Sequence, residues 1–304
     1  DMPLGPPDVN KSVWPGSLVV HGDRMAYTLA MNVDTNHTLA LCLRALDPGT
    51  GLIDEGTRVD VVMDTEELPS PDEPSGGLNS ELAVCPQTGQ LMALFFADGG
   101  HPLFGKLLVS KSAFAAIGAA LDWSTEFDAW DLPAYVGGWE LGTAQWPLRL
   151  GVGPDGRVFV AGLGGDPSTV RIAYSDDQGQ TWSPEVDTGV EQGFLGPQIA
   201  FAEDGANYYV YASSSVSTNR GESGSWYMTG HGLHAPCADP NDPELLYLSS
   251  DQLGLGYSTN AISTETYQDH NLADWLEINV ATYSRGIEAV EIMDFDFTAD
   301  KTVG

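Results

Sequence analysis

The sequence predicts an all-β fold, a β-propeller of five to six four-stranded blades, from three observations. Short apolar runs separated by tight turns recur along the whole chain, the turn glycines recur at wide intervals, and a Ser/Asp/Gly/Trp turn signature closes one unit and echoes in others. The unit is clearest over Leu150-Gly151-Val152-Gly153-Pro154-Asp155-Gly156-Arg157-Val158-Phe159-Val160-Ala161, where Asp155-Gly156 joins two apolar segments as a hairpin. Further hairpins are expected at Gly22-Asp23, Thr88-Gly89, Asp204-Gly205 and Pro240-Asn241-Asp242. Turn glycines 22, 89, 156 and 205 are separated by 67, 67 and 49 residues, the repeat length of stacked supersecondary units.

Five units begin near Trp14, Leu78, Trp146, Phe194 and His231, and a sixth near Arg285, for which 286–304 supply a first strand or two. The Pro-rich opening, 1–13, is expected to complete the last blade, so that 1–304 form a single propeller domain. Loops fall in the Pro/Gly-rich stretches 68–77 and 131–145.

The third strand of the middle unit runs into Ser175-Asp176-Asp177-Gln178-Gly179-Gln180-Thr181-Trp182, which fits Ser-x-Asp-x-Gly-x-Thr-Trp at every specified position. This stretch resembles the Asp-box, or BNR repeat, of sialidase-like propellers. Weaker echoes stand at Ser217-Thr218-Asn219-Arg220-Gly221 with Trp226, at Ser258-Thr259-Asn260 with Trp275, and at Ser110-Lys111-Ser112 with Trp123. The resemblance implies a propeller fold and a structural role for Ser175, Asp177, Gly179, Thr181 and Trp182, on the side of the blades opposite the active site. Physical logic agrees: a short acidic side chain accepts backbone N–H bonds in a turn, Gly takes a positive φ, and Trp packs beneath the hairpin. Trp123 and Trp226 are likewise expected in the core.

The chain carries 43 acidic against 12 basic residues, a formal charge of −31. No cluster of Lys and Arg exists to bind phosphates, so nucleic acid is excluded as a partner on electrostatic grounds. Scarce Lys with acidic excess resembles haloadapted proteins and points to a high-salt setting. Acidic loops suit Ca²⁺, although no EF-hand spacing is present; otherwise no cofactor is expected. Cys42, Cys85 and Cys237 each sit in apolar runs and read as buried thiols. No run approaches the ~18 apolar residues of a membrane span, so no membrane insertion is expected. The sequons Asn10-Lys11-Ser12 and Asn36-His37-Thr38 fit an extracellular, cell-surface or virion-borne protein.

Propeller topology gathers candidate chemistry on the connections between blades: Trp139, Glu140, Trp146 and Arg149 on one, His231 and His234 on another, and Tyr283, Arg285 and Glu288 on a third. His37, Asp98 and His101 fall on companion loops, and Glu81 stands at the start of the second unit. Trp139 and Trp146 are the expected sugar-stacking platforms. Arg149, Arg285 and His101 are the expected polar ligand contacts. Catalytic candidates are Glu140 and Glu288 as a carboxylate pair, or His231, His234 and Tyr283 as a lyase-type set. His231 and His234 read as a metal pair only if a third ligand joins them, and none of suitable spacing is evident.

A sialidase places Arg in a Phe/Tyr-Arg-Ile-Pro motif ahead of the first inner strand, and here Val13-Trp14-Pro15-Gly16-Ser17 has none, so a typical sialidase is not expected. The leading expectation is therefore a non-catalytic recognition propeller for a glycan or surface glycoprotein. The alternatives are a glycan-degrading hydrolase or lyase, and a scaffold subunit of a larger assembly. The charge yields a first test: at roughly 1 M salt the Debye length shrinks to about 3 Å and self-repulsion is screened, so the melting temperature is expected to rise from low to molar NaCl. A melting temperature that is flat or falls would sink the haloadapted reading.

Overall fold

The computed structural model describes residues 11–33, 36–47, 49–50, 52–67, 79–96, 103, 105–139, 148–164, 169–191, 198–204, 207–212, 215–228, 237–239, 242–250, 254–258 and 276–277. The chain is all-β, with the consecutive four-stranded antiparallel blades of a β-propeller. Sheet one is β1 (Lys11–His21), β2 (Arg24–Val33), β3 (Asn36–Ala45) and β4 (Val59–Glu67). Sheet two is β5 (Asn79–Val84), β6 (Gln90–Phe96), β7 (Lys106–Ala113) and β8 (Phe127–Asp131). Sheet three is β9 (Arg149–Val152), β10 (Val158–Gly164), β11 (Thr169–Ser175) and β12 (Val186–Glu191). Sheet four is β13 (Ile199–Asp204), β14 (Asn207–Ala212), β15 (Ser215–Ser217) and β16 (Trp226–Met228). These four carry described side chains in each sheet; a further set, β17 (Cys237–Asp239), β18 (Asp242–Ser250), β19 (Gly254–Ser258) and β20 (Leu276–Glu277), is described by its backbone alone.

All five expected hairpins join the first and second strands of their sheets, with closing pairs His21↔Arg24, Val84↔Leu91, Val152↔Val158, Asp204↔Asn207 and Asp239↔Asp242. The turn chemistry explains the placement. Gly22, Gly89 and Gly156 adopt positive φ of 63°, 68° and 87°, which glycine reaches without steric cost. A count of five to six blades is not supported: the sixth blade and its closing segment were expected from 286–304 and 1–13, and 286–304 and 1–10 lie outside the described residues.

The chain groups into two compact units, Asp1–Leu132 with Asp177–Gln180, and Pro133–Asp176 with Thr181–Gly304. In the first, Leu41, Leu43, Val61 and Met63 pack with Leu82, Leu91, Leu108, Phe114 and Phe127, and Trp123 packs against their edge. Polar groups stitch the same seam. Arg24 donates to the carbonyls of Phe114 (2.7 Å) and Ile117 (2.9 Å), the Ser17 hydroxyl accepts from Leu82 N–H (3.1 Å), and the Thr28 and Ser80 hydroxyls bond each other. The connection from β7 to β8 returns to sheet one, where Val62 N–H donates to Ala120 C=O at 2.9 Å. On the other side of β3, Cys42 is buried, and desolvation pushes its thiol up to about 12.

In the second unit β10 is buried along its whole length, and Phe159, Ala161 and Leu163 pack with Ile172, Val186, Tyr208 and Val210. Sheets three and four meet so closely that glycines are needed where the facing side chains press in. A Cβ on Gly151 would lie 2.8 Å from Ile199, one on Gly153 2.9 Å from the Tyr208 hydroxyl, and one on Gly221 2.5 Å from the Phe159 ring. Gly221 also has φ +76°, whereas Gly224, at φ +78°, faces open space. Gly221→Ala is therefore expected to cost about 2–4 kcal/mol from strain plus overpacking, and Gly224→Ala only about 1–2 kcal/mol. Equal losses in urea melts would show that packing against Phe159 adds nothing.

Candidate functional site

Within each sheet an antiparallel meander sends the first and third turns to one end. The second turn, and the points where the chain enters and leaves the sheet, lie at the other end. The first end is a turn end, and it is well defined after β11 and after β15. Ser175 is buried at the close of β11; Gln178 (φ 61°) and Gly179 (φ 91°) then reverse the chain, with Gln180 N–H donating to Asp177 C=O at 3.4 Å. Thr181 is exposed, and Trp182 is half-buried.

The echo at Ser217 repeats the backbone, with Arg220 (φ 53°) and Gly221 (φ 76°). Here the bonds are explicit. The buried Ser217 hydroxyl accepts from Asn219 N–H (3.2 Å) and Gly221 N–H (2.9 Å), and the Trp226 indole donates to Gly221 C=O at 3.2 Å. These serine, glycine and tryptophan positions hold turns together.

Between the two turns lies Arg157, 5% exposed. Its Nε and Nη2 donate to the two oxygens of Asp176 at 2.7 and 3.0 Å, its Nη1 donates to Arg220 C=O at 2.9 Å, and its charge lies 4.2 Å from the Tyr174 ring centre. Arg220 in turn pairs with Asp155 in the β9–β10 hairpin. Burial pushes the Tyr208 phenol upward, which keeps it neutral beneath Arg220.

At the other end the structure corrects one expectation. Trp139, expected as a sugar-stacking platform, is 5% exposed and is a core residue. It caps a 3-10 helix over Ala134–Gly138, and its ring lies on two glycines of β10: a Cβ on Gly162 would come within 2.6 Å of it and one on Gly164 within 3.2 Å. The indole N–H donates to Glu185 Oε1 at 2.5 Å, and Arg171 braces Glu185 (3.5 Å) and Asp187 (2.9 Å). Tyr135 packs at 6.1 Å from the Trp139 ring and donates to Ser183 C=O at 2.6 Å; burial raises its phenol above the usual range. The ring is thus enclosed by protein.

Arg149 opens β9, half-buried, and Gln198 immediately precedes β13. With the Gln198 amide oxygen turned to the guanidinium, it accepts from Arg149 Nη2 at 2.6 Å and from Nε at 3.2 Å. No sequence signal marked Gln198; the contact follows from the tight seam at Gly151. Glu81 is half-buried in β5, opposite Leu94, and His37 is the second residue of β3. The remaining expected residues, Asp98, His101, Glu140, Trp146, His231, His234, Tyr283, Arg285 and Glu288, lie outside the described residues. Among the described residues no group of three His, Cys, Asp or Glu is placed to hold a metal ion, and no helix is long and apolar enough to cross a membrane.

No family model matches the chain, and no curated protein matches it. Solved structures similar to it include a protein of unknown function from Dyadobacter fermentans (14% identity, 84% of this chain and 81% of that one, TM-score 0.47). A polysaccharide lyase is similar at 10% identity over 81% of this chain and 70% of that one, with TM-score 0.42. A GH43 β-1,3-galactosidase is similar at 11% identity over 80% of this chain and 51% of that one, with TM-score 0.43. The fold assignment rests on the sheets themselves and not on these likenesses.

The packing of Trp139 gives a direct expectation. Trp139→Ala should lower stability by about 3–5 kcal/mol, as for other buried aromatics, and a variant that melts like the parent would return the ring to the surface.

Proposed function

We propose that this chain is a glycan-degrading enzyme of the glycoside hydrolase type, acting on a neutral glycan in salty, extracellular or surface-exposed surroundings. The observation that supports this reading is the asymmetry of the sheets in the second unit. Their first turns are tight hairpins, whereas the connections at the opposite end are the segments that contain Glu140, Trp146, His231 and His234, with Arg149 at the start of β9. The strand order leads the connections that carry these acid–base groups and this aromatic into the sheet end opposite the buried Arg157 cluster. Recognition alone needs aromatic and hydrogen-bonding contacts; carboxylates and imidazoles in addition fit proton transfer.

The net charge of −31 selects among substrates. A polyuronate, the substrate class of a lyase, is repelled at low ionic strength, and a neutral glycan is not. In this reading Glu140 and Glu288 form the carboxylate pair. One protonates the leaving glycosidic oxygen; the other attacks the anomeric carbon directly or takes a proton from the attacking water, according to their separation. Trp146 supplies the stacking surface that Trp139 does not.

The test is a reducing-end assay on amylose, xylan, mixed-linkage β-glucan and arabinogalactan, with alginate and polygalacturonate beside them, at low and molar NaCl. New reducing ends from a neutral polymer are expected, with Glu140→Gln and Glu288→Gln each slower by about 10²- to 10⁴-fold at unchanged melting temperature. Unsaturated products from the polyuronates would replace the hydrolase by a lyase. Binding without turnover would leave a recognition propeller, and no binding to any polymer would favour a scaffold.

A further inference from the structure

We propose that the turn end is held by a clasp that the chain uses twice, in which a left-handed residue of a third turn grips both sides of a hairpin glycine. The proposal stands apart from the glycan reading and concerns the opposite sheet end. It starts from two backbone outliers. Among the described residues, Gln178 and Arg220 are the two non-glycine residues at positive φ, 61° and 53°. Each stands three positions after a buried serine, Ser175 or Ser217, and directly before a glycine that is also left-handed. Left-handed backbone disfavours any residue with a Cβ, so a long side chain held there points to a use for its far end.

Both residues reach a hairpin, and they reach the same place in it. In the second unit Arg220 pairs with Asp155, the residue before Gly156, and its carbonyl accepts at 2.9 Å from Nη1 of Arg157, the residue after it. Gln178 and the Gly89 hairpin both belong to the first unit. There Gln178 Nε2 donates at 3.4 Å to Thr88, the residue before Gly89, and at 2.9 Å to Oε1 of Gln90, the residue after it. The residue after the glycine also holds the close of its own third strand. Arg157 does so through Asp176, at 2.7 and 3.0 Å, and Gln90 through the Ser110 carbonyl, at 2.6 Å.

Thr88, Gly89 and Gln90 thus correspond to Asp155, Gly156 and Arg157, and Gln178 corresponds to Arg220. One geometry is built with ionic partners in one copy and neutral partners in the other. Sheet one follows half of the scheme: Arg24, the first residue of β2 after the Gly22 turn, donates to the Phe114 and Ile117 carbonyls beyond β7 at 2.7 and 2.9 Å. A turn that served only the backbone would be best built with Gly or Asn at the left-handed position. Glutamine and arginine there are explained by their reach.

Thermal melts of Arg220→Asn, of Gln178→Asn, and of Thr88→Asp and Gln178→Arg singly and together test the proposal. Asparagine tolerates positive φ well, so it keeps the turn and removes the reach. Arg220→Asn is expected to lower the melting temperature by about 2–6 °C and Gln178→Asn by about 1–3 °C. Because the two copies share one geometry, the ionic partners should be transferable. Thr88→Asp with Gln178→Arg is expected to melt about 2 °C or more above the sum of the two single shifts at low salt, and molar NaCl should shrink that excess. Asparagine variants that melt at or above wild type would show that these turns serve the backbone alone, and would overturn the proposal. Thr88→Asp and Gln178→Arg shifts that simply add would overturn it too, because the two copies would then not be equivalent.

Discussion

The second unit depends on the burial of one charge. Arg157 has almost no access to water, so its guanidinium must be satisfied by protein, and its partners come from two turns other than its own hairpin. Asp176 arrives from the end of β11, the Arg220 carbonyl from the turn after β15, and Glu222 stands 3.8 Å away just beyond it. The arginine therefore ties three chain reversals to one point. Losing a partner would strand a buried cation, a far larger penalty than the loss of an exposed ion pair. The turns on either side of it carry Gly156 and Gly221, both at positive φ.

With one end of the sheets fixed, glycines set how closely the sheets approach along their length. Gly151 on β9 and Gly153 just beyond its end receive Ile199, Phe201 and Tyr208 from sheet four. Gly162 and Gly164 alternate on β10 and receive the Trp139 ring. A strand with period-two glycines offers one flat face, and the neighbour's bulky residues fill it. The result at the far end is a contact that local sequence cannot encode: Arg149 and Gln198 are neighbours because β9 and β13 run close together.

This division also explains what the sequence made legible. The hairpins at Gly22, Gly89 and Gly156 were readable because the residues that need a positive φ are the residues that supply it. At Ser217 the serine hydroxyl bonds the turn, with Asn219 where the motif has an aspartate. Trp139 was misread. An aromatic in a Pro/Gly-rich stretch resembles an exposed loop residue, and its socket is made of glycines more than twenty positions downstream together with Glu185. Gln198 left no mark because an amide becomes informative only once its partner is known.

The acidic composition finally gives the arginines their meaning. With 43 carboxylates and eight arginines, any arginine on this chain has anions within easy reach, and Arg58, Arg157, Arg171 and Arg220 pair with Asp60, Asp176, Asp187 and Asp155. Such pairs neutralise the cation and commit it to the fold. Other arginine bonds go to uncharged acceptors: Arg24 donates to backbone carbonyls, Arg44 to the Tyr27 hydroxyl and Arg149 to the Gln198 amide. Arg24 is thereby fixed to the connection that follows β7, and Arg44 lies across its own sheet. Arg149 alone of these three stands where a chain segment enters its sheet from the connection that carries Glu140 and Trp146. The Gln198 amide thus fixes the plane of the Arg149 guanidinium by geometry, through one oxygen that accepts from two of its donors.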